Sequence, residues 1–169
     1  IINIVEKLTR DFPDIKYLIA GIGPELKNLK KAVRKKNLDD NVSFLGNIND
    51  YQKKYIFQKT QLMVMPTLDQ SHQRSIEGFG IVYIEAAFFS VPSIASNIGG
   101  TPEAVINNST GKIIDNIDEL FLTVKNLLLD QNKIMELGQN AKRRASKEFN
   151  WDSISKKYLS LINVITKVN

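Results

Sequence analysis

The chain has 169 residues, 43% of them hydrophobic and 24% charged, a globular composition, and its length allows one compact domain that buries roughly 70% of its unfolded surface without disulfide or metal. No cysteine and a single histidine, His72, exclude thiol chemistry, thiolate and multi-histidine metal sites, and leave a Ser/His/Asp triad only one available base. Basic residues (23) outnumber acidic ones (18), for a net charge of +5 and a pI near 9.3, which favours anionic partners such as nucleotides, phospholipid headgroups or nucleic acids.

Ile1 to Leu8 carries apolar positions 1, 4, 5 and 8 with no cap ahead of them, which predicts a helix continued from a longer protein. Pro13 breaks the pattern. Tyr17 to Ala20 reads as a strand, Gly21-Ile22-Gly23-Pro24 as a turn, and a lysine-rich helix follows. Val42 to Leu45 is the second strand, ending at Gly46; Asn49 or Asp50 caps a helix to about Lys59; Leu62 to Met65 is a strand stopped by Pro66. Ile81 to Phe89 reads as a helix and Pro92 to Ala95 as a strand. Gly99-Gly100 turns the chain into a helix start at Thr101-Pro102-Glu103, with proline at its first position, and Lys112 to Ile114 is the last strand. Residues 117–130, 132–148 and 152–167 read as helices, the last capped by Asp152.

Short apolar strands alternating with helices predict an α/β fold with a doubly wound parallel sheet, because parallel neighbours need crossover connections and bury both faces. Ligands of such sheets sit at the carboxyl ends of the strands. Attention therefore goes to Gly21, Gly46, the segment after Pro66, and Ser96 to Gly100.

The densest chemical signal is Glu77-Gly78-Phe79-Gly80-Ile81-Val82-Tyr83-Ile84-Glu85. Gly78 and Gly80 let the backbone approach a ligand, and the free N–H groups at the start of the next helix suit a diphosphate. Glu85 lies one turn on among Ile81, Val82, Ile84, Ala86, Ala87 and Phe88, and unpaired it would cost several kcal/mol. A pair of sugar hydroxyls would satisfy it; so would a lysine elsewhere in the fold, leaving the glycines as mere turns. Gly21 and Gly23 lack the third glycine of a dinucleotide fingerprint, and Gly99-Gly100 leaves backbone amides exposed at the ligand edge.

Read in order, Gly21-Ile-Gly-Pro24, Val42-Ser-Phe-Leu-Gly46, Met65-Pro66, Glu77-Gly-Phe-Gly-Ile-Val-Tyr-Ile-Glu-Ala86, Val91-Pro92, Gly99-Gly-Thr-Pro-Glu103, Thr110-Gly111 and Phe149-Asn-Trp151 resemble the carboxyl-terminal, donor-binding domain of family-4 retaining glycosyltransferases of the GT-B fold. The resemblance covers nearly the whole chain, and the loop Thr67 to Ile76 looks most like the mannosyltransferase branch. It implies a single nucleotide-sugar-binding domain over 1–169, one half of the GT-B fold, with C-terminal helices after a Rossmann-like sheet. The amino-terminal acceptor domain and a preceding strand ending in Gly-Arg, then Lys-Gly, would lie outside these residues. Glu77 matches the glutamate that contacts the transferred sugar and stands as the catalytic candidate. Phe79 to Val82 match the amides that bind diphosphate or sugar, and Glu85 the glutamate that grips ribose. Gly46, Asn47 and Ile48 match the loop beside the base, with Gly21 and Gly23 lining the same cleft.

The implied reaction is transfer of a sugar from a GDP- or UDP-linked donor to the hydroxyl of a sugar, glycan or lipid, with retention. It needs no metal or other cofactor, and it serves glycolipid, lipopolysaccharide or capsule synthesis in the cytoplasm or at the inner membrane face. Without the Arg and Lys that neutralise the leaving diphosphate, these 169 residues alone are expected to be inactive. A noncatalytic nucleotide-binding domain and a sugar-nucleotide epimerase are the alternatives on the same fold. No apolar run approaches the ~20 residues of a membrane span, and no export signal is visible. The basic runs Lys27 to Lys36 and Lys142 to Lys147 read first as solvated faces, with peripheral membrane contact the alternative. They lack the interleaved aromatics of a nucleic-acid reader. His72 and Arg74 read as part of an exposed loop near the cleft, and Trp151 as a core anchor opening a helix that packs toward the absent domain.

Overall fold

The computed structural model describes residues 1–67 and 78–166, with side chains through 162. Helix α1 (Ile2–Leu8) is followed by β1 (Tyr17–Ala20), α2 (Leu26–Lys35), β2 (Val42–Gly46), α3 (Asp50–Lys59), β3 (Met63–Val64), α4 (Ile81–Phe88), β4 (Ser93–Ser96), α5 (Thr101–Ala104) and β5 (Gly111–Ile114). A 3-10 turn (Ile117–Glu119) leads into α6 (Leu120–Leu129), α7 (Gln131–Glu148) and α8 (Trp151–Thr166). Every expected element is present, and among the described residues every strand pairing is parallel. The strand expected over Leu62 to Met65 has ladder partners only at Met63 and Val64.

Alternation along the strands builds the two-faced core. Val64, Ile94 and Ile114 point to one side, where Leu8, Leu120, Val124, Leu127, Ile134 and Leu137 meet them. Met63, Ala95 and Ile113 point to the other, against Tyr83, Ile84, Ala104, Ala141 and Ala145. Strand β4, central in the order β3-β4-β5, is consequently buried along its whole length. The small residues Ala95, Ala104, Ala141 and Ala145 let α4, α5 and α7 lie close to the sheet.

Among the described residues the hydrogen-bonded ladder comes in two parts, β1-β2 and β3-β4-β5. The β1-β2 pair packs one face on Ile2, Val5, Val33 and Leu38, while Leu18 on the other remains 43% exposed. Helix α1 joins the parts, since Ile2 and Val5 enter the core of the first and Leu8 that of the second. Ion pairs Lys36–Glu6 at 2.5 Å and Lys125–Asp11 at 2.9 Å flank the same junction.

At the carboxyl end two expectations are corrected. The α8 cap is Asn150, whose Oδ1 accepts from the Ser153 amide at 2.8 Å; Asp152 lies inside the first turn, where its charge complements the helix dipole. Trp151 is no core anchor but 84% exposed, because α8 turns Trp151, Tyr158, Leu159, Leu161 and Ile162 outward.

Two measurable consequences follow from this packing. A Cβ at Gly138 would lie 2.1 Å from the Ser90 carbonyl oxygen, so Gly138→Ala must push α7 off the α4–β4 connection and is expected to cost roughly 1–3 kcal/mol in urea unfolding. Burial in the β1-β2 core pushes the Tyr17 hydroxyl up to about 12. Because its ordinary value is near 10, the folded state favours the neutral phenol, and this contribution is lost as pH rises from about 10 through 12. Tyr17→Phe should flatten that part of the stability profile.

Candidate functional site

The carboxyl ends of the strands converge on the expected loops. Gly21, just past β1, has φ +118° and donates its amide to the Gly46 carbonyl at the end of β2 at 2.7 Å. The two expected cleft loops are thus joined, with Gly23 open to solvent beside them. Asn47 is exposed and Ile48 half-buried before Asn49, which caps α3 by accepting from the Gln52 amide while Gln52 Oε1 accepts from the Asn49 amide. The loop is therefore held from both sides.

Gly80 initiates α4 in the left-handed region, with φ +80° and ψ 63°. A Cβ there would meet the Tyr83 ring at 2.4 Å, so the turn requires glycine on two counts. Tyr83 is buried and donates its hydroxyl to the Met65 carbonyl at 2.6 Å, fixing the start of α4 to the end of β3. Among the described residues no side chain caps α4. Ile81 is exposed and Val82 half-buried, and among the described residues their amides have no hydrogen-bond partner.

The preceding loop is braced by backbone. A Cβ on Gly100 would lie 1.9 Å from the Gly78 carbonyl oxygen and 3.3 Å from the Phe79 Cα, so Gly100 serves a close approach of two loops. Thr101 fixes this turn, its single hydroxyl proton shared between the Ser96 and Ile98 carbonyls. Phe79 packs on Phe149 with ring centroids 5.7 Å apart. Arg144 lies over Phe149, donates to the Glu103 and Ala104 carbonyls at 2.7 and 2.9 Å, and pairs with Glu148. That one of the basic residues on α7 is therefore a structural clamp. Lys36, which caps the end of α2, is likewise paired, with Glu6, while Lys30 of α2 lies over the Phe44 ring.

Glu85 is 35% exposed, and Lys53 of α3 pairs with its Oε1 at 2.6 Å. The lysine reading of this carboxylate is thus the one seen, and Glu85 is not stranded among apolar neighbours. Asp50 also reaches Lys53, at 3.2 Å. The hydrogen bond to Glu85 above all, and then Asp50, holds the Lys53 ammonium above the usual lysine range, against the opposing effect of desolvation. The pair links the loop that ends in α3 to the second turn of α4. Lys53 escaped the reading of the sequence; its one signal is a cation in the first turn of α3, where the helix dipole disfavours it.

Glu77, His72 and Arg74 lie outside the described residues. Among those described, no cluster of three His, Asp or Glu could hold a metal ion, and no helix is long and apolar enough to cross a membrane.

Comparison with known proteins agrees with this architecture. A GDP-mannose-dependent alpha-(1-6)-phosphatidylinositol monomannoside mannosyltransferase of Mycobacterium tuberculosis is 30% identical over 142 residues, covering 83% of this chain and 37% of that enzyme. Sucrose-phosphate synthase from Thermosynechococcus elongatus superposes with a TM-score of 0.75 at 25% identity, over 98% of this chain and 43% of that one. Anabaena HepE in complex with UDP shares the fold with a TM-score of 0.79 at 22% identity, over 96% of this chain and 44% of that one. The chain thus spans less than half the length of each, and its fold is that of the GT-B glycosyltransferases. The family model for glycosyl transferases group 1 matches residues 1–144, and the chain belongs to that family.

Proposed function

We propose that the full-length protein transfers a hexosyl or mannosyl group from a GDP- or UDP-linked donor to an acceptor hydroxyl, with retention of anomeric configuration. The observation that supports this most is the amino end of α4, uncapped among the described residues and opened by the left-handed Gly80, with a carboxylate one turn further along. The diphosphate is assigned to the amides of Phe79 to Val82, where N–H groups without a partner among the described residues and the positive end of a helix dipole coincide. The ribose diol is assigned to Glu85, and the base to Gly46, Asn47 and Ile48. Gly21 and Gly23 line the same cleft, and Glu77 positions the transferred sugar.

Breaking the sugar–phosphate bond leaves negative charge on the departing diphosphate. Catalysis on this reading rests on stabilising that charge and on placing the acceptor on the face the diphosphate leaves, with no protein nucleophile and no metal. The 169 residues contain no Gly-Arg or Lys-Gly step. The cations expected to neutralise the diphosphate, and the acceptor domain, are therefore assigned to other parts of the protein. The phosphatidylinositol mannoside named for the mycobacterial relative supports a glycan or lipid-linked acceptor and envelope glycolipid or polysaccharide synthesis at the inner membrane face. The exposed lysines of α2 supply a surface suited to anionic headgroups there.

Calorimetric titration of the full-length protein with UDP, GDP, ADP and their sugars is expected to single out one nucleotide. Transfer to acceptor should then be seen with the matching sugar donor. Binding without transfer to any acceptor would move the protein to a noncatalytic role, and epimerised sugar nucleotide formed without acceptor to an epimerase. The 169-residue chain alone should bind nucleotide weakly and turn over at background; turnover equal to a complete enzyme would refute the division of labour. Gly80→Ala should cost about 1–2 kcal/mol of stability and weaken nucleotide binding about tenfold or more, because the amide end is displaced.

A further inference from the structure

Lys53 sits where helix physics disfavours it. It occupies the first turn of α3, whose amino end carries the positive pole of the dipole, and its ammonium is half-exposed. What holds it there is a pair of carboxylates, Asp50 on its own helix and Glu85 on α4. Its contact with Glu85 is made to Oε1 alone, and no other donor among the described residues reaches that carboxylate. An ionised carboxylate has about four acceptor positions, so among the described residues Oε2 and part of Oε1 have no donor. The geometry is that of a side chain fixed on one oxygen by Lys53.

We infer that Lys53 is a positioning residue for nucleotide recognition, holding Glu85 in the orientation in which its free oxygen accepts a ribose hydroxyl. The inference rests on the proposed role of Glu85. A half-exposed glutamate without a partner samples several rotamers, and fixing one such side chain on binding costs about 0.5–1.5 kcal/mol. Lys53 meets that cost before the ligand arrives. Through α3 it also ties the carboxylate to the loop Gly46 to Ile48, so ribose and base contacts keep a fixed spacing. The pair is not a competitor for the ligand, since ammonium and hydroxyl use different acceptor positions.

The discriminating measurement is the ratio of dissociation constants for a nucleotide and its 2′-deoxy analogue, taken for UDP and for GDP by calorimetry on the full-length protein. Wild type is expected to prefer the ribonucleotide by about tenfold or more, as befits a hydroxyl bonded to a charged acceptor, and Glu85→Gln to lose most of that preference. Lys53→Met should weaken ribonucleotide binding about fivefold, leave the deoxynucleotide nearly unchanged and so shrink the ratio. Lys53→Arg, which keeps the charge, should restore it. Thermal melting of each variant separates these effects from loss of fold, and Lys53→Gln provides a second neutral replacement. An unchanged ratio in both neutral variants, or tighter ribonucleotide binding in either, overturns the inference while leaving Glu85 in place. Failure of wild type to discriminate at all, or full discrimination in Glu85→Gln, overturns the ribose assignment on which it rests.

Discussion

At Gly80 the backbone takes φ +80°, a region that costs an L-residue about 1–2 kcal/mol, in a place where a Cβ would also strike the Tyr83 ring. This turn carries the chain into α4, and Tyr83 beneath it anchors the helix to β3. The other contacts of the region support the same turn. Gly100 admits the Gly78 backbone at a distance no side chain would allow, and Phe149, covered by Arg144, backs Phe79. Among the described residues the amide cluster that opens α4 has no capping side chain. The fold holds it with backbone contacts and packing from behind.

Much of this was legible in the residue order. The period-two apolar strands, Pro66 after β3, the Asn49 capping box and Pro102 at the start of α5 mark local events that short-range chemistry decides. Gly78, Gly80 and Glu85 were legible as a group for the same reason: they lie within eight residues on one loop and one helix. The contacts that escaped join distant segments. Lys53 reaches Glu85 across 32 positions, and Gly100 in the loop after β4 meets Gly78 in the loop before α4. Trp151 was misread because aromatic size predicts burial only when a helix has a neighbour on that face. Asp152 lost its expected role to Asn150, whose amide also donates to the Ser146 carbonyl and so ties the end of α7 to α8.

Charge is spent differently in the two basic regions, although both look alike as strings of lysine and arginine. On α7, Arg144 is an internal tie whose planar group satisfies two carbonyls at the end of α5 while stacking on a ring. On α2 the cations mostly remain in solvent, beside Val33 on the buried stripe. The difference comes from what each helix faces: a sheet covered by further elements for α7, a two-stranded ladder for α2.

The break between the two ladders gives the molecule a seam. No described backbone hydrogen bond crosses from β1 to β3, so the half bearing Gly21 and Gly46 meets the half bearing α4 through side chains, chiefly those of α1, the Glu6 and Asp11 ion pairs and Lys53 with Glu85. Side chains can be exchanged one at a time where a continuous ladder cannot. Surface replacements along that line can therefore change the tilt of the half bearing Gly21 and Gly46 against the half bearing α4, keeping both cores intact.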